Sequence, residues 1–148
     1  MRTTEGRDGQ GERREQVVAE VRDLLARLYR AFVAWGSMYG GLELRDEQEL
    51  RREEVVRLLG EFPGQYLSRS VWLEQGTRKK IKRFIDKSED LYSDFVAEIV
   101  DRGYAQTRDV MAARVSKELG PLRKDAEASL ESKLLAGARE ARWRRRLR

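Results

Sequence analysis

Apolar residues recur along this chain with helical spacing and nowhere alternate in the two-residue rhythm of a strand. In the first long segment Val17, Val21, Leu24, Leu28, Ala31, Trp35 and Met38 follow alternating steps of four and three. A second row, Val18, Leu25, Phe32 and Tyr39, repeats every seven residues beside it. Two adjacent rows make the wide apolar face of a multi-helix core, whereas a two-stranded coiled coil needs only a narrow seam. The pattern predicts a helix over about 13–39, stopped by Gly40 and Gly41.

A second, shorter helix is expected over about 47–62. Asp46 would cap it, Glu49 would be the acid three residues on, and Val55, Leu58, Leu59 and Phe62 would form its face. Pro63-Gly64 is expected to end it. A third, over about 71–102, would be capped by Ser68 or Ser70, with Gly76 splitting off a first turn around Trp72. It carries Ile81, Phe84, Ile85, Leu91, Tyr92, Phe95 and Ile99 at the same spacing, and Gly103 closes it. Val115, Leu119, Leu122, Ala126, Leu130 and Leu134 line a fourth over about 105–136, where Gly120-Pro121 should produce a kink or a short break. The fold class that results is all-α: an antiparallel bundle of four helices, one short and three long. The bundle would occupy 13–136, after a disordered lead-in (1–12) and before an Arg-rich tail (137–148).

The expected lengths bear on assembly. At 1.5 Å per residue the first helix would span roughly 40 Å, the second roughly 24 Å, and the last two roughly 50 Å each. A short second helix would leave part of its neighbours' apolar stripe uncovered, at Val17 and Val21 and at Leu91, Tyr92, Phe95 and Ile99. A homodimer with a two-fold antiparallel contact, or a protein partner, is therefore expected.

Composition narrows the chemistry. The 148 residues are 39% charged, with two prolines, no cysteine and no histidine. Disulfides, thiolate chemistry and cysteine zinc sites are excluded, and the commonest general base and metal ligand is missing. No cofactor is expected, since P-loop, Rossmann glycine, nucleophile-elbow and zinc patterns are all absent. No run of 18 apolar residues occurs, so nothing is expected to span a membrane. The start, MRTTEGRDGQGERRE, lacks the apolar core of a secretory signal. The expected location is the cytoplasm.

The net charge is +5. From 139 onward, six arginines stand against Glu140 and hold that whole excess; taking them from the totals of 31 basic and 26 acidic residues leaves 25 of each. The tail is thus the candidate contact for an anionic partner, through Arg139, Arg142, Arg144, Arg145, Arg146 and Arg148. Trp143 and Leu147, four apart, would form a small apolar stripe among them. The first reading of such a segment is a solvated helix end or frayed terminus, its arginines complementing the helix dipole. The alternatives are weak, salt-sensitive contact with nucleic-acid phosphate, where Trp143 could stack, or with anionic lipid.

Two charged runs lie within the body. With a turn near 63–68, the basic run TRKKIKRFIDK (77–87) would lie against the acidic run RDEQELRREE (45–54). Glu49 would then face Arg83, Glu53 would face Lys79, and Asp46 would lie level with Asp86 and Lys87. These would be the matched flanks of a hairpin; the alternative is a phosphate-binding patch. An acidic ridge, Asp86, Asp90, Asp94, Glu98 and Asp101, contains the Glu-x-x-Asp spacing of EIVD. It resembles the metal motif of the helical all-α nucleotide pyrophosphatases but lacks their upstream Glu-x-x-Glu. The ridge is expected to be a solvated face, partly paired by Arg108, Arg114, Lys117 and Arg123 of the returning helix. FVAWGSMYGG (32–41) reads as core packing. The expected function is non-enzymatic, a structural or protein-interaction module. The alternatives are a nucleic-acid-associated accessory protein using the tail and, third, a metal-dependent hydrolase on the ridge.

Overall fold

The computed structural model describes residues 2–37 and 44–132, and nearly all of them are helical. Helix α1 spans Arg2–Gly36, α2 spans Leu44–Ser70 and α3 spans Gln75–Arg102. Helix α4, Tyr104–Arg114, runs on into a π-helical segment, Val115–Leu119, and continues as helix over 120–132. Among the described residues there is no strand. The stop expected at Gly40-Gly41 and the tail lie outside the described residues.

Cross-helix contacts give the topology. Arg69 of α2 meets Glu20 of α1, and Arg52 of α2 meets Tyr92 of α3. Asp94, Lys87 and Thr77 of α3 meet Arg114, Glu118 and Ser129 in that order, so α3 and α4 form an antiparallel hairpin. Arg22 pairs with Glu131, and Gly36 lies against Ala112, so α4 also runs antiparallel to α1. The chain goes up, down, up and down around one core.

The two rows foreseen on α1 are the core face: Val17, Val18, Val21, Leu25, Leu28, Ala31, Phe32 and Trp35 are buried. Phe32, Trp35, Tyr92 and Phe95 join across the centre with ring centroids 5.7–6.5 Å apart. Helix α1 is helical from Arg2, ahead of the expected start near 13, but residues 9–16 are exposed on every side. The core begins at Val17.

Helix α2 departs furthest from expectation. Pro63 lies inside it and the helix continues through Ser70. Proline removes the hydrogen bond its N–H would give to Leu59 and crowds that carbonyl. Packing outweighs this, because Phe62 is buried and Tyr66, one turn on, stacks on it at 5.5 Å. Asp46 sits in the first turn of α2 rather than capping it. Ser70 does not cap α3; its hydroxyl donates to the Leu67 carbonyl, and extended Glu74 precedes the helix. At 27 residues α2 nearly equals the 28 of α3, so the short second helix is overturned. Val17, Val21, Leu91 and Phe95 are buried within the single chain, which removes the length argument for a dimer.

Gly103 closes α3 as expected, with φ at 85° and its N–H bonded to the Ile99 carbonyl at 2.8 Å. Tyr104 opens α4 at once. The disturbance anticipated at Gly120-Pro121 is the π-helical segment, in which the Gly120 N–H reaches back five residues to the Val115 carbonyl. Proline at 121 has no N–H to give to Lys117, and a wider turn accommodates the missing bond. The buried row Thr107, Met111, Val115, Leu119 advances in steps of four. Such a row drifts around a 3.6-residue helix, and a locally wider turn keeps it facing the core.

Candidate anionic-surface interface

The turn between α2 and α3 is at 71–74, closed by Trp72 and Leu73 N–H groups on the Arg69 and Ser70 carbonyls. It falls several residues later than the turn expected near 63–68, and this changes the charge map. Arg52 donates to the Tyr92 hydroxyl at 3.2 Å, placing the acidic run of α2 beside the second half of α3. The basic start of α3 lies at the other end of the bundle. The pairings Glu49–Arg83 and Glu53–Lys79 are therefore absent. Arg52 instead pairs with Glu49, and Arg57 with Glu54 and Glu61, all within α2.

Five cations stand in the first turns of α3: Arg78, Lys79, Lys80, Lys82 and Arg83, all exposed. Lys82 pairs with Asp86 at 3.2 Å, while the other four enter no ion pair among the described residues. The first turn of α3 holds no acid. A helix N-terminus carries a partial positive charge that fades within its first turn, so it disfavours Arg78 and scarcely touches the cations further along.

Beside them the α2 arm exposes apolar groups. Leu67, in its last turn, is 72% exposed and Val71, in the turn, 75%. Val56, Gly60 and Gly64 continue that exposed face along α2 at helical spacing, and a Cβ at either glycine would meet nothing. Arg78 stands near Tyr66 of α2; burial pushes the Tyr66 phenol up, and the Arg78 charge acts against it. Behind the turn, a cavity of about 220 Å³ opens between Arg14, Val18, Trp72, Leu73, Thr77 and Leu130. Thr77 and Ser129 share a hydrogen bond of 2.7 Å at its edge.

The described chain reaches Ser132 at this same end, since Glu131 pairs with Arg22 near the start of the core. The candidate contacts Arg139, Arg142, Trp143, Arg144, Arg145, Arg146 and Arg148 lie outside the described residues, attached sixteen residues or fewer beyond that point.

The acidic ridge occupies the far half of α3. Asp94 accepts from Arg114 at 3.0 Å, and Arg114 also holds Glu118 at 2.6 Å. The Arg114 guanidinium keeps the Glu118 carboxyl below the usual carboxylate range. Of the cations expected to meet the ridge, Arg114 does so. Lys87, on α3 itself, reaches Glu118 at 3.5 Å. Among the described residues no three carboxylates converge to hold a metal ion. No described helix is long and apolar enough to cross a membrane.

The chain matches no family model, no curated protein and no solved structure.

Proposed function

We propose that the chain is a non-enzymatic, cytoplasmic interaction module, a rigid helical bundle that docks on a polyanionic partner through the start of α3 and the arginine tail. The observation that carries this reading is the exposure of Arg78, Lys79, Lys80 and Arg83 at the end of the bundle away from the acidic run of α2, with no ion pair among the described residues. With neither histidine nor cysteine in the chain, and with Asp86 and Asp94 of the ridge bound to Lys82 and Arg114, catalysis has little support. Homodimerisation, expected from the sequence, is supported only by scattered exposed apolar residues, Leu50, Val56 and Val100 among them.

Retention on immobilised heparin tests the reading. The full chain should need several hundred millimolar salt for elution, because each contact to a polyanion steepens the salt dependence (~0.9 per phosphate on duplex DNA). Lys79→Glu with Lys80→Glu should elute much earlier, and so should a chain whose six tail arginines are glutamine. If the first variant elutes with the unaltered chain, the α3 patch is only a solvated face and the reading is wrong.

A further inference from the structure

We infer that the polyanionic partner is a lipid bilayer rich in anionic headgroups, bound in its interfacial layer by the outer flank of the α2–α3 hairpin near its turn. This rests on the reading above and adds the substrate class. Two exposed features flank the 71–74 turn. Leu67 and Val71 are largely exposed at the end of α2 and in the turn, and Arg78 and Lys79, in no ion pair among the described residues, stand exposed at the start of α3. A nucleic-acid backbone rewards the cations and leaves two exposed aliphatic groups in water. A bilayer interface rewards both, accepting apolar side chains below the headgroups while lysine and arginine meet lipid phosphates.

Gly60 and Gly64 carry no side chain to hold α2 away from a plane, and the exposed face continues to Val56. Helix α1 runs on past the level of the turn, so the contact surface is the flank of the hairpin rather than its cap. The described chain ends at Ser132 at this same end of the bundle. Anionic lipid is concentrated in the cytoplasmic leaflet, the side on which the proposed module resides.

Flotation of the full chain with vesicles of phosphatidylcholine, with and without phosphatidylserine, is the experiment, with duplex DNA titrated in parallel. The chain should float with the phosphatidylserine vesicles only. Lys79→Glu with Lys80→Glu should lower that partitioning at least about tenfold, from the attraction each cation feels near such a surface. Leu67→Ser with Val71→Ser should also lower it, by about tenfold, and should leave DNA binding unchanged. All four side chains are exposed, so the variants should keep the circular dichroism of the unaltered chain. Vesicle binding indifferent to the Leu67 and Val71 substitutions would overturn the lipid inference. So would binding to DNA without binding to phosphatidylserine vesicles, an outcome that leaves the polyanion reading standing. Failure on both ligands would remove both.

Discussion

Arg69, in the last turn of α2, reaches back across 49 residues to Glu20 of α1, Nε to Oε2 at 2.6 Å. This bond separates Arg69 from the cations a few residues away, because its charge is already answered while Arg78 and Lys79 enter no ion pair among the described residues. Arg69→Ala should leave heparin retention close to that of the unaltered chain, in contrast to Lys79→Glu. The pair is solvent-screened, so the melting temperature at neutral pH should fall only slightly. A large loss of retention would mean that net charge alone governs binding and that the position of the cations does not matter.

The aromatic centre should carry much of the stability. Phe95 is buried against Phe32 and Trp35, with Arg114 over its ring at 5.8 Å. Phe95→Ala should cost about 3–5 kcal/mol in denaturant unfolding, through lost burial and the cavity left behind. Tyr104→Phe is gentler and removes only the hydroxyl that bonds the Trp35 carbonyl, worth about 1 kcal/mol.

Acid should loosen the fold through three carboxylates. Glu118, Glu20 and Glu54 are each held below the usual range by a bonded guanidinium, from Arg114, Arg69 and Arg57 respectively. Their folded pKa values lie below the unfolded ones, so the unfolded chain binds more protons as pH drops. Their contribution is complete above the ordinary glutamate range and fades as pH falls through the depressed values. Melting temperature should therefore be level from neutral pH to about 5 and fall below that. Glu118→Gln should flatten the decline; an identical decline in that variant would mean that other carboxylates dominate.

Much of this architecture can be read from the sequence. The double row from Val17 to Trp35, the α3 face from Ile81 to Phe95 and the stop at Gly103 are each decided by one strong local pattern. The end of α2 is not, because the local signal of Pro63-Gly64 is outweighed by Phe62 and Tyr66 packing on the far side of the proline. Taking the proline as a stop places the hairpin turn at 63–68 instead of 71–74 and sets the acidic run against the wrong half of α3. The basic run itself was visible, but its isolation was not, since isolation is a property of register. Thr77, Ser88 and Thr107 were also missed as core residues. Ser88 and Thr107 are made tolerable there by bonds to the Phe84 and Gly103 carbonyls four residues back, and Thr77 by its bond to Ser129. Polarity hides such positions from a hydrophobic pattern.

The π-helical segment has two contributors, Pro121 and the four-residue row through Val115 and Leu119, and one substitution separates them. Pro121→Ala restores an N–H without altering the row. If packing holds the wide turn, stability should rise by well under the about 3 kcal/mol that proline costs inside a helix. A gain of that full size would mean that the segment exists only because of the proline.

The joint at Gly103 governs the order in which the molecule assembles. Contacts across it close short stretches of chain, 20 residues between Asp94 and Arg114 and 31 between Lys87 and Glu118. The Tyr104–Trp35 contact spans 69, and Arg22–Glu131 closes more than a hundred. Closing the longest of these rather than the shortest costs an additional ~1.5 kcal/mol of chain entropy. The α3–α4 hairpin is thus a natural early unit, and the contacts between α1 and α4 that seal the bundle form last. Substitutions at Phe84 or Met111 should slow refolding, while Val21→Ala should chiefly hasten unfolding. A nascent chain would then carry α1 and α2 as exposed, unfinished helices until its final third had been made.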